Sequence, residues 1–184
     1  TRGAFNELSH KLGAAIQEHG LKYGDCIALC MGGNQIYDLA IRYAAALTGI
    51  IPVTINWQAD TQDVIAYKIS SCNAKALLFD DLFNAELREL VTNDHSHIPA
   101  LNFTEMATSN ATLQFADVKS DDTRIIIFTS GTTGKPKGVK LPYRSYQCNR
   151  DTFTKFLDIH ENDALALCCV NPLHHTNSTA ISDW

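Results

Sequence analysis

No run of about 18 apolar residues occurs in the 184-residue chain, so no segment reads as a membrane-spanning helix. The first residues, Thr1-Arg2-Gly3-Ala4-Phe5-Asn6-Glu7, lack the apolar stretch of a secretory signal peptide. Positive charge is scarce: 15 Lys and Arg stand against 20 Asp and Glu, a formal net charge of -5. Nucleic-acid backbones require clustered basic side chains, so no nucleic-acid partner is expected. The six cysteines, at positions 26, 30, 72, 148, 168 and 169, form no Cys-x-x-Cys pair. A disulfide framework or a zinc site is therefore not expected. Buried reduced thiols are the simpler reading, and they imply a reducing, cytoplasmic compartment. Low-complexity tracts and internal repeats are also lacking.

What the chain does have is apolar material, 45% of its residues, at a length that fits one domain or one lobe of a larger one. Phe5, Leu8, Leu12 and Ile16 recur at three- and four-residue steps and predict a helix over 5–18. Cys26 to Met31 is wholly apolar, as in a buried strand, and Ile36 to Leu47 returns to helical periodicity before Gly49. A strand is expected over 50–55. A helix follows, with Asp60 or Thr61 as its cap and running through Ser71; next come a strand over 76–79 and a helix over 81–91. Residues 92–120 are polar and irregular, with one strand near 100–103. Strand 125–129, a polar loop, helix 145–157 and strand 165–170 complete the order. Strands that are apolar on both faces and alternate with helices predict an α/β fold, parallel sheets flanked by helices.

The informative stretch is Ile125-Ile126-Ile127-Phe128-Thr129-Ser130-Gly131-Thr132-Thr133-Gly134-Lys135-Pro136-Lys137-Gly138-Val139. An apolar strand runs straight into a segment with hydroxyls at Thr129, Ser130, Thr132 and Thr133. Gly131, Gly134 and Gly138 let the backbone turn tightly and present successive N–H groups to one ligand. Lys137 adds a point positive charge. Many donors and no carboxylate suit a polyphosphate, and the segment lies beyond the carboxyl end of a strand, where open α/β sheets bind ligands. A Walker P-loop does not fit: Gly131 and Gly134 are too close, and Pro136 follows Lys135. A plain Gly/Ser/Thr surface turn is the competing reading.

All ten residues from Thr129 to Gly138 resemble the signature loop of the acyl-adenylate-forming (AMP-binding) superfamily, which holds acyl-CoA synthetases, peptide-synthetase adenylation domains and beetle luciferases. Phe5-Asn6-Glu7-Leu8, Gly24-Asp25, Ala44 to Gly49 and Ile55-Asn56 resemble the family's start, in the same order. Asn171-Pro172-Leu173-His174-His175 resembles its Pro-Leu-x-His segment, in which the residue matched by His175 lines the acyl pocket. Two departures stand out: Ser178 where the family often has Gly, and Pro142-Tyr143 where Thr-His is usual. Pro142 suits the first turn of a helix.

The resemblance implies an acid–thiol ligase. A carboxylic acid attacks the α-phosphate of ATP with Mg2+ present, and the acyl-adenylate then passes its acyl group to CoA. It implies phosphate contacts from Thr129, Ser130, Gly131, Thr132, Thr133, Gly134 and Lys137, with Lys137 and His175 taking part in the chemistry. It also implies that residues 1–120 are a first α/β lobe of an N-terminal AMP-binding domain and that 121–184 begin a second unit. The family's magnesium, ribose and C-terminal lysine motifs are absent, so this is expected to be a fragment without its C-terminal domain and inactive alone. An amino-acid adenylation domain and a non-catalytic scaffold are the alternatives. Asp80-Asp81 reads as a helix cap, Trp57 as packing, and Arg144 and Arg150 as solvated or within reach of a phosphate.

Overall fold

In the computed structural model, residues 1–129, 134–160, 163 and 168–182 are described; of Asn177 and Ile181, only the backbone is. Helix α1 spans Arg2–Glu18, strand β1 Cys26–Cys30, α2 Ile36–Thr48, β2 Ile51–Thr54, α3 Gln62–Cys72 and β3 Ala76–Phe79. Then follow α4 Ala85–Asp94, β4 Ala100–Asn102, α5 Phe103–Met106, β5 Thr123–Thr129, β6 Lys137–Pro142, α6 Tyr143–Phe156 and α7 Thr176–Ser182. The strands form one sheet in the order β4-β3-β1-β2-β5-β6. Every pairing is parallel except β5 with β6.

The unbroken apolar strands have a direct physical cause. Successive side chains of a strand point to opposite faces, and here both faces are covered. Ile27 and Leu29 of β1 and Leu78 of β3 pack with Leu12 and Ile16 of α1 and Ile41 and Ala44 of α2. Ala28 and Cys30 of β1 and Leu77 and Phe79 of β3 face Ile65 and Ile69 of α3 and Val91 of α4. The expected α/β class is thus present as a six-stranded, mostly parallel sheet with helices on both sides. Strand β5, expected to open the second unit, hydrogen-bonds β2 within this same sheet.

Several local expectations change. Residues 137–142, read as part of a polar loop, form β6 and pair antiparallel with β5 from Thr123↔Pro142 to Thr129↔Lys137. A strand with two lysines, a glycine and a terminal proline is an edge strand, and edge strands carry little apolar signal. Pro142 is the residue capping α6, one position before its first turn. Asp80 caps no helix: its Oδ1 accepts N–H groups of Gly32 (2.8 Å), Leu82 (3.2 Å) and Phe83 (2.9 Å), tying the ends of β1 and β3 together. The side chain of Asn84 caps α4 instead, accepting from Leu87 N–H at 2.9 Å. Of the six thiols only Cys30 is buried; Cys148 and Cys168 are exposed, so the expectation of buried thiols fails there. Of the expected strand 165–170, residues 165–167 lie outside the described residues, and 168–170 are not in a strand.

Two glycines are required by geometry. Gly49 ends α2 in the left-handed region, φ 73°, where a side chain is strained. Gly32 follows β1 so closely packed that an added Cβ would lie 2.1 Å from the Leu82 carbonyl carbon.

Candidate active site

The carboxyl ends of β2 and β5 open on one cleft of about 460 Å³. Its walls include Thr54 and Asn56 after β2, Asp60, Lys68 of α3, Thr129 at the end of β5, Pro136, and His174 to Thr176 from the segment leading into α7. Sheet geometry brings these together: β2 and β5 are parallel neighbours, so the segments that leave them depart on the same side.

Thr129 is exposed at the last rung of the β5–β6 hairpin, and its hydroxyl donates to the Lys137 carbonyl at 3.5 Å. Lys137 begins β6 opposite Thr129 and is exposed. Gly134 takes φ 97°, a conformation suited to glycine at the hairpin's bend. Ser130, Gly131, Thr132 and Thr133 lie outside the described residues. Lys135 rests over the Tyr67 ring at 5.3 Å.

His175, the expected pocket histidine, is exposed in the cleft, and its neighbour His174 is buried against it. Their rings are 4.3 Å apart, and Trp57 meets His174 edge-on at 6.3 Å. Trp57 therefore packs, as expected, but it packs on a residue of the cleft. Burial, then the neighbouring His175 and the cations Lys68 and Arg42, lower the pKa of His174 to about 4, so it is neutral at pH 7. Both of its ring nitrogens are buried without a hydrogen-bond partner among the described residues.

Lys68 was not singled out by sequence. It is buried in α3, paired with Asp60, and its ammonium lies 5.2 Å from the Phe128 ring. The legible signal was a lysine one turn before Cys72 on the face that also carries Ile65 and Ile69. Asp60 also accepts the Asn56 N–H at 2.7 Å, which fixes the turn after β2. Arg144 and Arg150 line a separate depression along α6, Arg144 paired with Asp121 at 2.7 Å. Ser178, the departure noted above, is buried and donates to the Asn171 carbonyl at 3.0 Å, so its hydroxyl holds the turn ahead of α7.

Among its described lining residues the cleft thus carries hydroxyls, an amide and the exposed imidazole of His175, while Asp60 and Lys68 neutralise each other. That donor set fits an anionic ligand on a mostly parallel α/β sheet. The chain belongs to the family described as AMP-binding enzyme, whose profile matches residues 1–182. It is 28% identical over 203 residues to a medium-chain-fatty-acid–CoA ligase of Ectopseudomonas oleovorans, covering 97% of this chain and 36% of that protein. It is 28% identical over 182 residues to 4-coumarate-CoA ligase 1 of Narcissus pseudonarcissus, covering 92% and 33%. The chain therefore spans about a third of the length of such curated relatives. Among solved structures, the inhibitor-bound N-terminal domain of FACL13 from Mycobacterium tuberculosis aligns with a TM-score of 0.86 at 22% identity, covering 99% of this chain and 46% of that one. The Bacillus subtilis o-succinylbenzoate CoA synthetase in complex with its acyl-adenylate intermediate aligns with a TM-score of 0.79 at 22% identity, covering 96% and 44%. These alignments establish the fold. No described helix is long and apolar enough to cross a membrane.

Proposed function

We propose that this chain is the phosphate-gripping part of an acid–thiol ligase that makes an acyl-adenylate from a carboxylic acid and ATP, then a thioester with CoA. The observation that carries the reading is the β5–β6 hairpin, whose Thr129 and Pro136 line one cleft together with His175 and Lys68. Family membership supports it, as do relatives named as CoA ligases of fatty, coumaric and succinylbenzoic acids. In this reading residues 1–120 are the first lobe of the nucleotide-binding domain and 121–184 begin the second unit. A reducing, cytoplasmic setting goes with it.

Thr129, Ser130, Gly131, Thr132, Thr133, Gly134 and Lys137 would hold the β- and γ-phosphates. Their N–H, hydroxyl and ammonium groups would stabilise charge gathering on the departing pyrophosphate. His175, which lines the same cleft, would face the reacting carboxylate. Mg2+ keeps most of its ligands as water and phosphate oxygen. Among the described residues no group of three or more acidic, Cys or His side chains could hold a metal. Bound beside the triphosphate, the ion would offset its charge.

The test is Lys137→Ala in the full-length enzyme, read by carboxylate-dependent exchange of pyrophosphate into ATP. A charge-assisted hydrogen bond is worth about 1.5–3 kcal/mol, so exchange should slow about ten- to two-hundredfold. Unchanged exchange kinetics would remove Lys137 from the site and the phosphate-binding role from the hairpin.

A further inference from the structure

Helix α2 carries a charge pair where its apolar stripe should be. Asp38, Ile41, Arg42 and Ala45 share the buried side, and both charged residues are only 3% exposed. Arg42 Nε donates to Asp38 Oδ1 at 2.5 Å. Buried ion pairs are weak stabilisers, and well-packed apolar residues of similar volume often replace them without loss. The pair's presence here therefore calls for some role other than stability. Its geometry supplies one: Arg42 Nη2 donates to the Leu173 carbonyl at 2.6 Å, across 131 positions of sequence.

That carbonyl belongs to the segment that delivers the two histidines to the cleft, and other side chains grip the same backbone. Asn34 holds it at two points, accepting the Leu173 N–H at 2.9 Å and donating to the Asn171 carbonyl at 3.1 Å. Thr54 Oγ1 donates to the His174 carbonyl at 3.4 Å. Asp38, Thr54 and His174 border one small void of about 10 Å³. All these bonds go to backbone atoms. They fix where residues 171–175 run, whatever the side chains there are.

We propose that Asn34 and the Asp38–Arg42 pair are positioning residues: they set the depth at which the His174–His175 segment enters the cleft, and through it the placement of the carboxylic-acid substrate. This rests on the ligase reading above. None of the three residues lines the phosphate-binding side of the cleft, so they act on one substrate and not on the other.

The test uses the full-length enzyme with Asn34→Ala, the apolar double variant Asp38→Leu/Arg42→Met, and His175→Ala as reference. Asn34 is exposed, so its substitution leaves folding intact even if the double variant does not fold. Amide exchange over 171–175 should quicken in Asn34→Ala at unchanged Tm. The kcat/KM for the carboxylic acid should fall about tenfold, while KM for ATP stays put. Arg42→Lys, which keeps a donor for Leu173 but not the fork geometry, should recover part of the loss. Faster exchange with unaltered carboxylate kinetics, where His175→Ala is impaired, would overturn the positioning role alone. A His175→Ala enzyme with full activity would overturn the reading of the cleft and this inference with it.

Discussion

His174 shows how one side chain can be set by its surroundings alone. Its ring is buried, beside another imidazole and within the field of Lys68 and Arg42, and each of these disfavours the protonated form. An NMR titration of the folded protein should show His174 staying neutral down to a pKa of about 4. In the unfolded chain it would protonate near 6.5. The unfolded state then binds more protons between those values, so stability is complete above about pH 6.5 and declines as pH falls toward 4. His95, lowered by burial and by His97, adds in the same direction. A Tm that rises on acidification through this window would contradict the burial of these rings. At this scale the sequence was only partly informative. Lys137 and His175 were singled out through resemblance to the family's loop and its Pro-Leu-x-His segment, and the structure puts His175 on the cleft wall. Asp38 and Arg42 were not picked out, although a charged pair four apart within the stripe of Ile41 and Ala45 was there to be seen.

Among the elements, β1 and β3 were legible because each is wholly apolar, and β2 because Ile51 and Val53 stand in a short apolar run despite Pro52. Helices α1 and α2 were legible because their stripes repeat at helical steps, and α3 from its cap Thr61. Strand β6 was not, since an edge strand buries no complete face and its residues are exposed or half-buried. The cap of α4 was misplaced for a similar reason: Asp80 and Asn84 both suit a cap, and only the fold shows that Asp80 is occupied by Gly32, Leu82 and Phe83. The joint between β1 and β3 gives a sharp prediction. Gly32→Ala would drive a methyl group into the Leu82 carbonyl, and backbone there cannot yield as a flexible side chain would. Overpacking of this kind costs about 1–3 kcal/mol. Chemical denaturation of Gly32→Ala should show that loss, whereas Gly33→Ala, which meets nothing within 4 Å, should unfold as the parent does.

For the whole molecule, the cleft is framed here by β2, β5, α3 and the approach to α7, yet the chain spans about a third of its curated relatives. The hairpin proposed to bind phosphate is on this portion. The magnesium and ribose motifs that the family resemblance calls for are not in the sequence. The isolated 184-residue polypeptide is accordingly expected to bind ATP weakly and to form no thioester, with CoA and a panel of carboxylic acids assayed by pyrophosphate release. Turnover by the isolated chain would mean that a single lobe suffices. Fold class was open to sequence at this scale because periodicity is a property of segments. The way distant segments lock together was not, because nothing in the spacing of Asn34, Arg42 and Leu173 announces their contact.

That contact has a consequence in time. The guanidinium of Arg42 is completed by a carbonyl 131 residues later. At translation rates of about 5–20 residues per second, roughly 7–26 seconds pass between the emergence of the two partners. During that interval Arg42 has local partners such as Asp38, four residues before it, and the bond that ties α2 to the histidine segment can form only once Leu173 has been made.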